Sequence, residues 1–163
     1  MPDGLLVSLF EHKAWCNARL AEALSAAPEA LDRRQWALIL FTFDHTAIVD
    51  RVFKARLLGE DPGVTSTVAT TWPDLAALTT SMAETDAWYL DYVRRVTTAE
   101  LESAVDFAFV DDGAPGRMTR ADMLAHVITH GASHRGAIGK MLEGLGVPGA
   151  SDMVTTFRRM SLV

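Results

Sequence analysis

The chain has 163 residues, 49% hydrophobic and 22% charged, a balance that excludes disorder and a length that buries a core without disulfide or metal staples. A formal net charge of -6, a sequence pI of about 5.3 and no run of Lys or Arg argue against nucleic acid as a partner. The one cysteine, Cys16, cannot form an internal disulfide, and nothing reads as a signal peptide at Met1-Pro2-Asp3-Gly4 or as a membrane span, so a cytoplasmic protein is expected.

Apolar residues recur at helical spacing in four long stretches, and no alternating stretch is long enough for a sheet core, which predicts an all-α fold in one domain over 1–163. The first helix is expected from about Leu5 to Ala26, stopped at Pro28 because proline disfavours helix in the residue before it. The second starts after the N-cap Asp32 and ends at Leu57-Leu58-Gly59. Residues Glu60 to Trp72 are polar and rich in Thr, Gly and Pro and read as a crossing loop. Pro73 opens the third helix, which runs to about Val96. Asp106 to Arg117, with Phe107 and Phe109 ahead of Asp-Asp-Gly and Pro-Gly, fits a short extended excursion or a hairpin. Thr119 and Asp122 form a variant capping box that starts the fourth helix, which ends at Gly144 or Gly146. A brief fifth helix is expected from Ser151 or Asp152 to about Met160. Four long helices of this kind predict a four-helix bundle, a scaffold that builds metal sites from side chains on facing helices.

There are five histidines, and His126, His130 and His134 stand four apart on the fourth helix. Residues at i and i+4 share a helix face, close enough for two imidazoles to hold one ion, whereas His126 and His134 are separated by a rise of about 12 Å. The apolar face made by Met123, Val127, Gly131, Ile138, Met141, Leu142 and Leu145 spans about 100° of the helical wheel. His134 falls inside it, His130 about 20° outside and His126 about 60° outside, so the inward pair is His130 with His134. On the second helix His45 shares a face with Leu38, Phe41, Ile48, Val49 and Val52, while Asp50, Arg51 and Lys54 are expected to point away. An imidazole buried among aliphatics needs a hydrogen-bond partner or a metal. Three inward imidazoles with the remaining coordination positions left to water describe a reactive rather than a structural metal site, which is usually closed by four protein ligands.

The stretch from His126 through His130 and His134 to Arg135-Gly136-Ala137-Ile138 resembles the fourth-helix signature of the DinB-like (YfiT-like) metal-binding family. Phe43-Asp44-His45 with Asp50, Trp15-Cys16-Asn17, and the late Gly146-Val147-Pro148 with Asp152 extend the similarity over nearly the whole chain. The resemblance implies an up-down-down-up bundle holding one divalent ion, zinc or nickel, through His45, His130 and His134. It also implies a homodimer and an activity among metal-dependent hydrolases or transferases that use a low-molecular-weight thiol such as bacillithiol or mycothiol.

The expected function is therefore a metal-dependent enzyme acting on a small molecule, in which the ion activates a bound water or thiol as nucleophile. Asp44, Glu11, His12 and His126 are candidate supporting groups, against the simpler reading of each as plain surface. Arg135 is expected to pair with an acid rather than bind an anionic substrate, Cys16 to be buried and inert, and Trp15, Trp36, Phe41, Phe43 and Trp88 to be core rather than the lining of a pocket. The competing reading is a non-enzymatic, metal-stabilised dimeric bundle that serves as an interaction module.

Overall fold

A computed structural model describes residues 4–27, 32–150 and 152–160 of the chain. Four long helices carry the fold: α1 (Gly4–Ser25), α2 (Arg33–Leu58), α3 (Leu75–Arg95) and α5 (Arg120–Gly144). The short helix α4 (Thr98–Glu102), a hairpin of β1 (Ala104–Ala108) and β2 (Pro115–Thr119), and a terminal helix α6 (Val154–Met160) complete it.

The helix ends follow local chemistry. Asp32 accepts from the backbone N–H groups of Arg34 and Gln35, and Gly59, with a left-handed φ of 74°, closes α2. Thr119 and Asp122 form the reciprocal capping box at the head of α5. Pro73 stands just outside its helix instead of opening it: the N-cap is Asp74, whose side chain accepts from Ala77. The helix α4 was not foreseen, although Thr97 and Glu100 form a complete capping box around it. It is one short turn without a buried residue, so no apolar period marks it. The hairpin matches expectation, with Asp106 opposite Arg117 in an antiparallel register. The last helix begins at Val154, later than expected; Pro28 and Ser151, which figured in the expected ends of the first and fifth helices, lie outside the described residues.

Around the bundle the helices follow the order α1, α3, α2, α5, so that α1–α3 and α2–α5 are opposite seams. Lys13 and Phe10 of α1 meet Asp86 and Tyr89 of α3, which makes that pair antiparallel. His45 and Phe53 of α2 meet His134 and His126 of α5, again antiparallel, while Asn17 lies beside Arg135 and Lys13 beside Gly131 in a parallel pair. The connectivity is thus the up-down-down-up arrangement. No described helix is long and apolar enough to cross a membrane.

The apolar core is divided. One half gathers Leu20, Leu24, Ile39, Phe43, Met82, Ile138 and Leu142; the other gathers Phe10, Leu57, Tyr89, Val93, Met123, Leu124 and Val127. A buried polar layer lies between them. Lys13, 1% exposed, donates to Asp50 at 2.7 Å and also to Asp86; Asn17 donates to Asp86 at 2.8 Å and accepts from Arg135 at 2.9 Å. Burial would favour a neutral lysine, but Asp50 and Asp86 outweigh it and hold Lys13 above its ordinary range, as a cation. Gly131 makes room for the crossing, since a Cβ there would stand 3.0 Å from Nη1 of Arg135. This layer corrects the expectation for Asp50, which is 1% exposed rather than turned to solvent. Leu38, expected on the inward face, is 59% exposed. Both displacements have one cause: α2 packs against α3 as well as α5, so its buried surface is wider than a single stripe and rotated toward Asp50.

Candidate metal centre

The α2–α5 seam brings His45, His130 and His134 together, with one ring nitrogen from each within 4.8 Å of the others. Ring centroids are 4.4 Å apart for His130 and His134, 4.9 Å for His45 and His134, and 5.0 Å for His45 and His130. The i, i+4 pair on α5 faces the single imidazole on α2, and all three are half-buried.

Hydrogen bonding fixes which nitrogens face inward. A carbonyl oxygen only accepts, so His45 Nδ1–H donates to the Thr67 carbonyl at 2.8 Å, and in the neutral ring this leaves Nε2 as a lone pair. That Nε2 lies 3.1 Å from Nε2 of His130. Neither neutral tautomer of His130 is then fully satisfied. With the proton on Nε2 it can donate to His45, but its buried Nδ1 accepts from nothing; with the proton on Nδ1, a buried donor is unpaired and two lone pairs confront each other. A cation between the two Nε2 atoms removes the confrontation, and the donor set is the imidazole type that divalent transition metals take. Burial, then the neighbouring charges of His134, His45 and His126, push the His130 pKa down to about 4. Burial likewise lowers His134 and His126. Both groups of α5 that face His45 therefore stay neutral at pH 7, the form that ligates a metal.

The loop between α2 and α3 and the hairpin hold His45 in place. Thr67 donates through its N–H and its hydroxyl to the two oxygens of Asp111, each at 2.9 Å. Those bonds keep the Asp111 carboxyl below its ordinary range. The chain Asp111–Thr67–His45 thus runs from the hairpin to the imidazole, an outer shell of the kind that orients metal-ligating histidines. The sequence reading missed both Thr67 and Asp111, because a contact between two irregular segments leaves no periodic signal.

The remaining candidates disperse. His126 stacks on Phe53 at 4.6 Å and flanks His130 at 5.2 Å, beside the cluster. Asp44 faces the groove between α2 and α3 with Arg51 and Asp74, and Glu11 pairs with Arg94. His12 joins Cys16 and Asp152 in a separate group of metal-type donors. That group is closed on itself: Cys16 Sγ is 3.2 Å from His12 Nε2, and both oxygens of Asp152 are bound by Arg135, at 3.1 and 3.3 Å. Burial, then Asp152, push the Cys16 thiol far above its ordinary pKa, as expected of an inert cysteine. The expected acid partner of Arg135 is Asp152, although Arg135 is itself buried in the polar layer.

A cavity of about 240 Å³ adjoins the histidines, enclosed by α2, α5 and the hairpin and lined by His126, His130, Arg56 and the aromatic rings Phe53, Phe107 and Phe109. A larger cavity of about 530 Å³ lies between α1 and α3, on the opposite seam. The smaller one is the candidate substrate space, because it alone of the two touches the imidazole cluster.

A four-helix bundle in which facing helices bring three imidazoles to one point defines a class of helical proteins whose site is compatible with a divalent metal. The chain belongs to the DinB superfamily, whose family model matches residues 12–138 and so spans α1 to α5. No curated protein and no solved structure gives a significant match.

Proposed function

We propose that the protein is a metal-dependent enzyme of the DinB superfamily that holds one divalent ion, zinc or nickel, through His45, His130 and His134 and acts on a small molecule in the adjoining cavity. The supporting observation is the facing pair of Nε2 atoms at 3.1 Å, the one on His45 a lone pair in the neutral ring, with no partner for Nδ1 of His130 among the described residues. When bound, the ion supplies Lewis-acid activation of a water or of a small thiol at neutral pH, as in hydrolysis or thiol transfer. The chain's own part is to present His130 and His134 as neutral imidazoles, to fix the orientation of His45 through Thr67, and to enclose the reacting group against apolar walls.

The test is elemental analysis of protein purified without added metal, joined to a screen of zinc- and nickel-loaded protein. Esters, amides and thiol-plus-electrophile pairs serve as substrates, with metal-free protein as the control. Turnover that follows metal content is expected. Stoichiometric metal without turnover of any class would favour a metal-stabilised interaction module, and absence of metal uptake would sink both.

Replacing Asp111 by alanine is expected to weaken zinc affinity by about tenfold, since it removes both acceptors that anchor Thr67 and so loosens the orientation of His45. Asp111 is exposed, so the metal-free melting temperature should hardly move. Competition with a chromophoric chelator reads the affinity; an unchanged value would remove Asp111 from the site.

A further inference from the structure

We propose that Arg56 is an anion handle in the cavity beside the three histidines, and that the molecule accepted there is a small monocarboxylate with an apolar body. The binding claim rests on the cavity alone; its catalytic meaning rests on the reading of the histidines as a metal centre.

The cavity is chemically lopsided. Its walls are Val49, Val52 and Phe53 from α2 and Phe107 and Phe109 from the hairpin, with His130 at one side. Arg56, in the last turn of α2, is the one Lys or Arg among its lining residues. A guanidinium has five N–H donors. One, on Nη2, goes to the Ala108 carbonyl at 2.8 Å, while Nε is buried without a partner. Among the described residues Arg56 forms no ion pair, whereas Arg94, Arg95, Arg117 and Arg135 each have a carboxylate. An unneutralised guanidinium at an apolar cavity is suited to a carboxylate, which it binds through two parallel hydrogen bonds.

The acid that lines the same cavity does not supply that partner. Asp111 has both oxygens committed to Thr67 and sits exposed at the rim. Its negative charge there opposes a second anionic group, which restricts the ligand to one. A volume of about 240 Å³ lies below the ~300–1,000 Å³ of sites for drug-sized ligands, so the body attached to the carboxylate is small. His130 borders the space that Arg56 borders, so an anion held by Arg56 leaves the rest of the molecule directed along the cavity toward the imidazoles.

Phenylacetate and its neutral isostere phenylacetamide are the probes, titrated by calorimetry or ligand-observed NMR into metal-free and zinc-loaded protein. Metal-free wild type is expected to bind phenylacetate at least about tenfold more tightly than the amide, the scale of one charge-assisted hydrogen bond. Arg56→Met should abolish that preference, and Arg56→Lys should retain part of it. A ligand-independent fall in melting temperature with equal loss of both probes would make Arg56 merely the clip between α2 and the hairpin, and would overturn the proposal. So would a failure of phenylacetate to bind metal-free wild type. A preference that arises only with zinc and survives Arg56→Met would place the carboxylate on the metal, sinking the handle while sparing the metal centre. A preference that persists in a protein that takes up no metal would support the handle and sink the metal centre.

Discussion

His134→Ala is expected to abolish the thermal stabilisation that zinc or nickel confers, while leaving the metal-free fold nearly as stable as wild type. At a metal concentration of about 100 times Kd, binding to the native state alone adds about 2.7 kcal/mol, which for a chain of this size raises Tm by roughly 5–10 °C. The variant removes one of three imidazoles that converge within 4.8 Å, a direct donor, so affinity should fall by more than the ~10–100-fold typical of outer-shell changes. His134 is half-buried and its ring meets only the other imidazoles among the described aromatic pairs, so its loss costs the metal-free bundle little. His126→Ala is the control. That ring stacks on Phe53 and stands outside the converging trio, so the metal-induced rise should persist in the variant. If both variants kept the rise, or both lost it, the assignment of the trio would fail.

The contrast between these two histidines was legible in the sequence. Spacing of four residues put His126, His130 and His134 on neighbouring faces of one helix, and the apolar arc chose between them, because the buried residues of α5, Met123, Leu124, Val127, Gly131, Arg135, Ile138 and Leu142, keep to one stripe. The same logic failed for α2, where Leu38 is exposed and Asp50 is buried, since the run from Thr46 to Asp50 is buried without a break and so hides a wider surface than a wheel stripe predicts. Lys13 illustrates a different blind spot. It stands on the same face as Phe10, Asn17, Leu20 and Leu24, but a charged residue at a core position is read as an interruption unless its partners are known. Those partners lie 37 and 73 residues away, and Arg135 reaches Asn17 across 118. Pairings at such separations come from topology, which local pattern does not encode. Thr67 and Asp111 are hidden for the same reason, and with them the fixing of the His45 tautomer.

Lys13→Met should be the most destabilising single change in the bundle. The substitution keeps volume but removes the cation that Asp50 and Asp86 share, leaving two carboxyl groups 1% and 5% exposed with no cation bonded to them. Breaking a buried pair from one side costs about 3–5 kcal/mol, which corresponds to a fall in Tm of roughly 6–20 °C. Here the cost falls near the upper end, because Oδ1 of Asp50 already lacks a partner and the Asn17 amide that binds Asp86 carries no charge. Replacing the three together, Lys13→Met with Asp50→Leu and Asp86→Leu, should recover much of the loss, since it dispenses with the desolvation of three ions and leaves only the Asn17 amide without its Asp86 acceptor. The layer is then a device of register rather than of net stability. It couples α1, α2 and α3 at one level, and through Asn17 and Arg135 it reaches α5 one residue from His134. A helix that slid by one turn would carry its imidazole about 5.4 Å out of alignment, but it would also strand a charge between two apolar half-cores. The triple variant should therefore melt well above Lys13→Met yet bind zinc more weakly than wild type. Urea titration read beside zinc affinity decides the matter: if the triple variant regained stability and affinity in full, the polar layer would have no part in aligning the histidines.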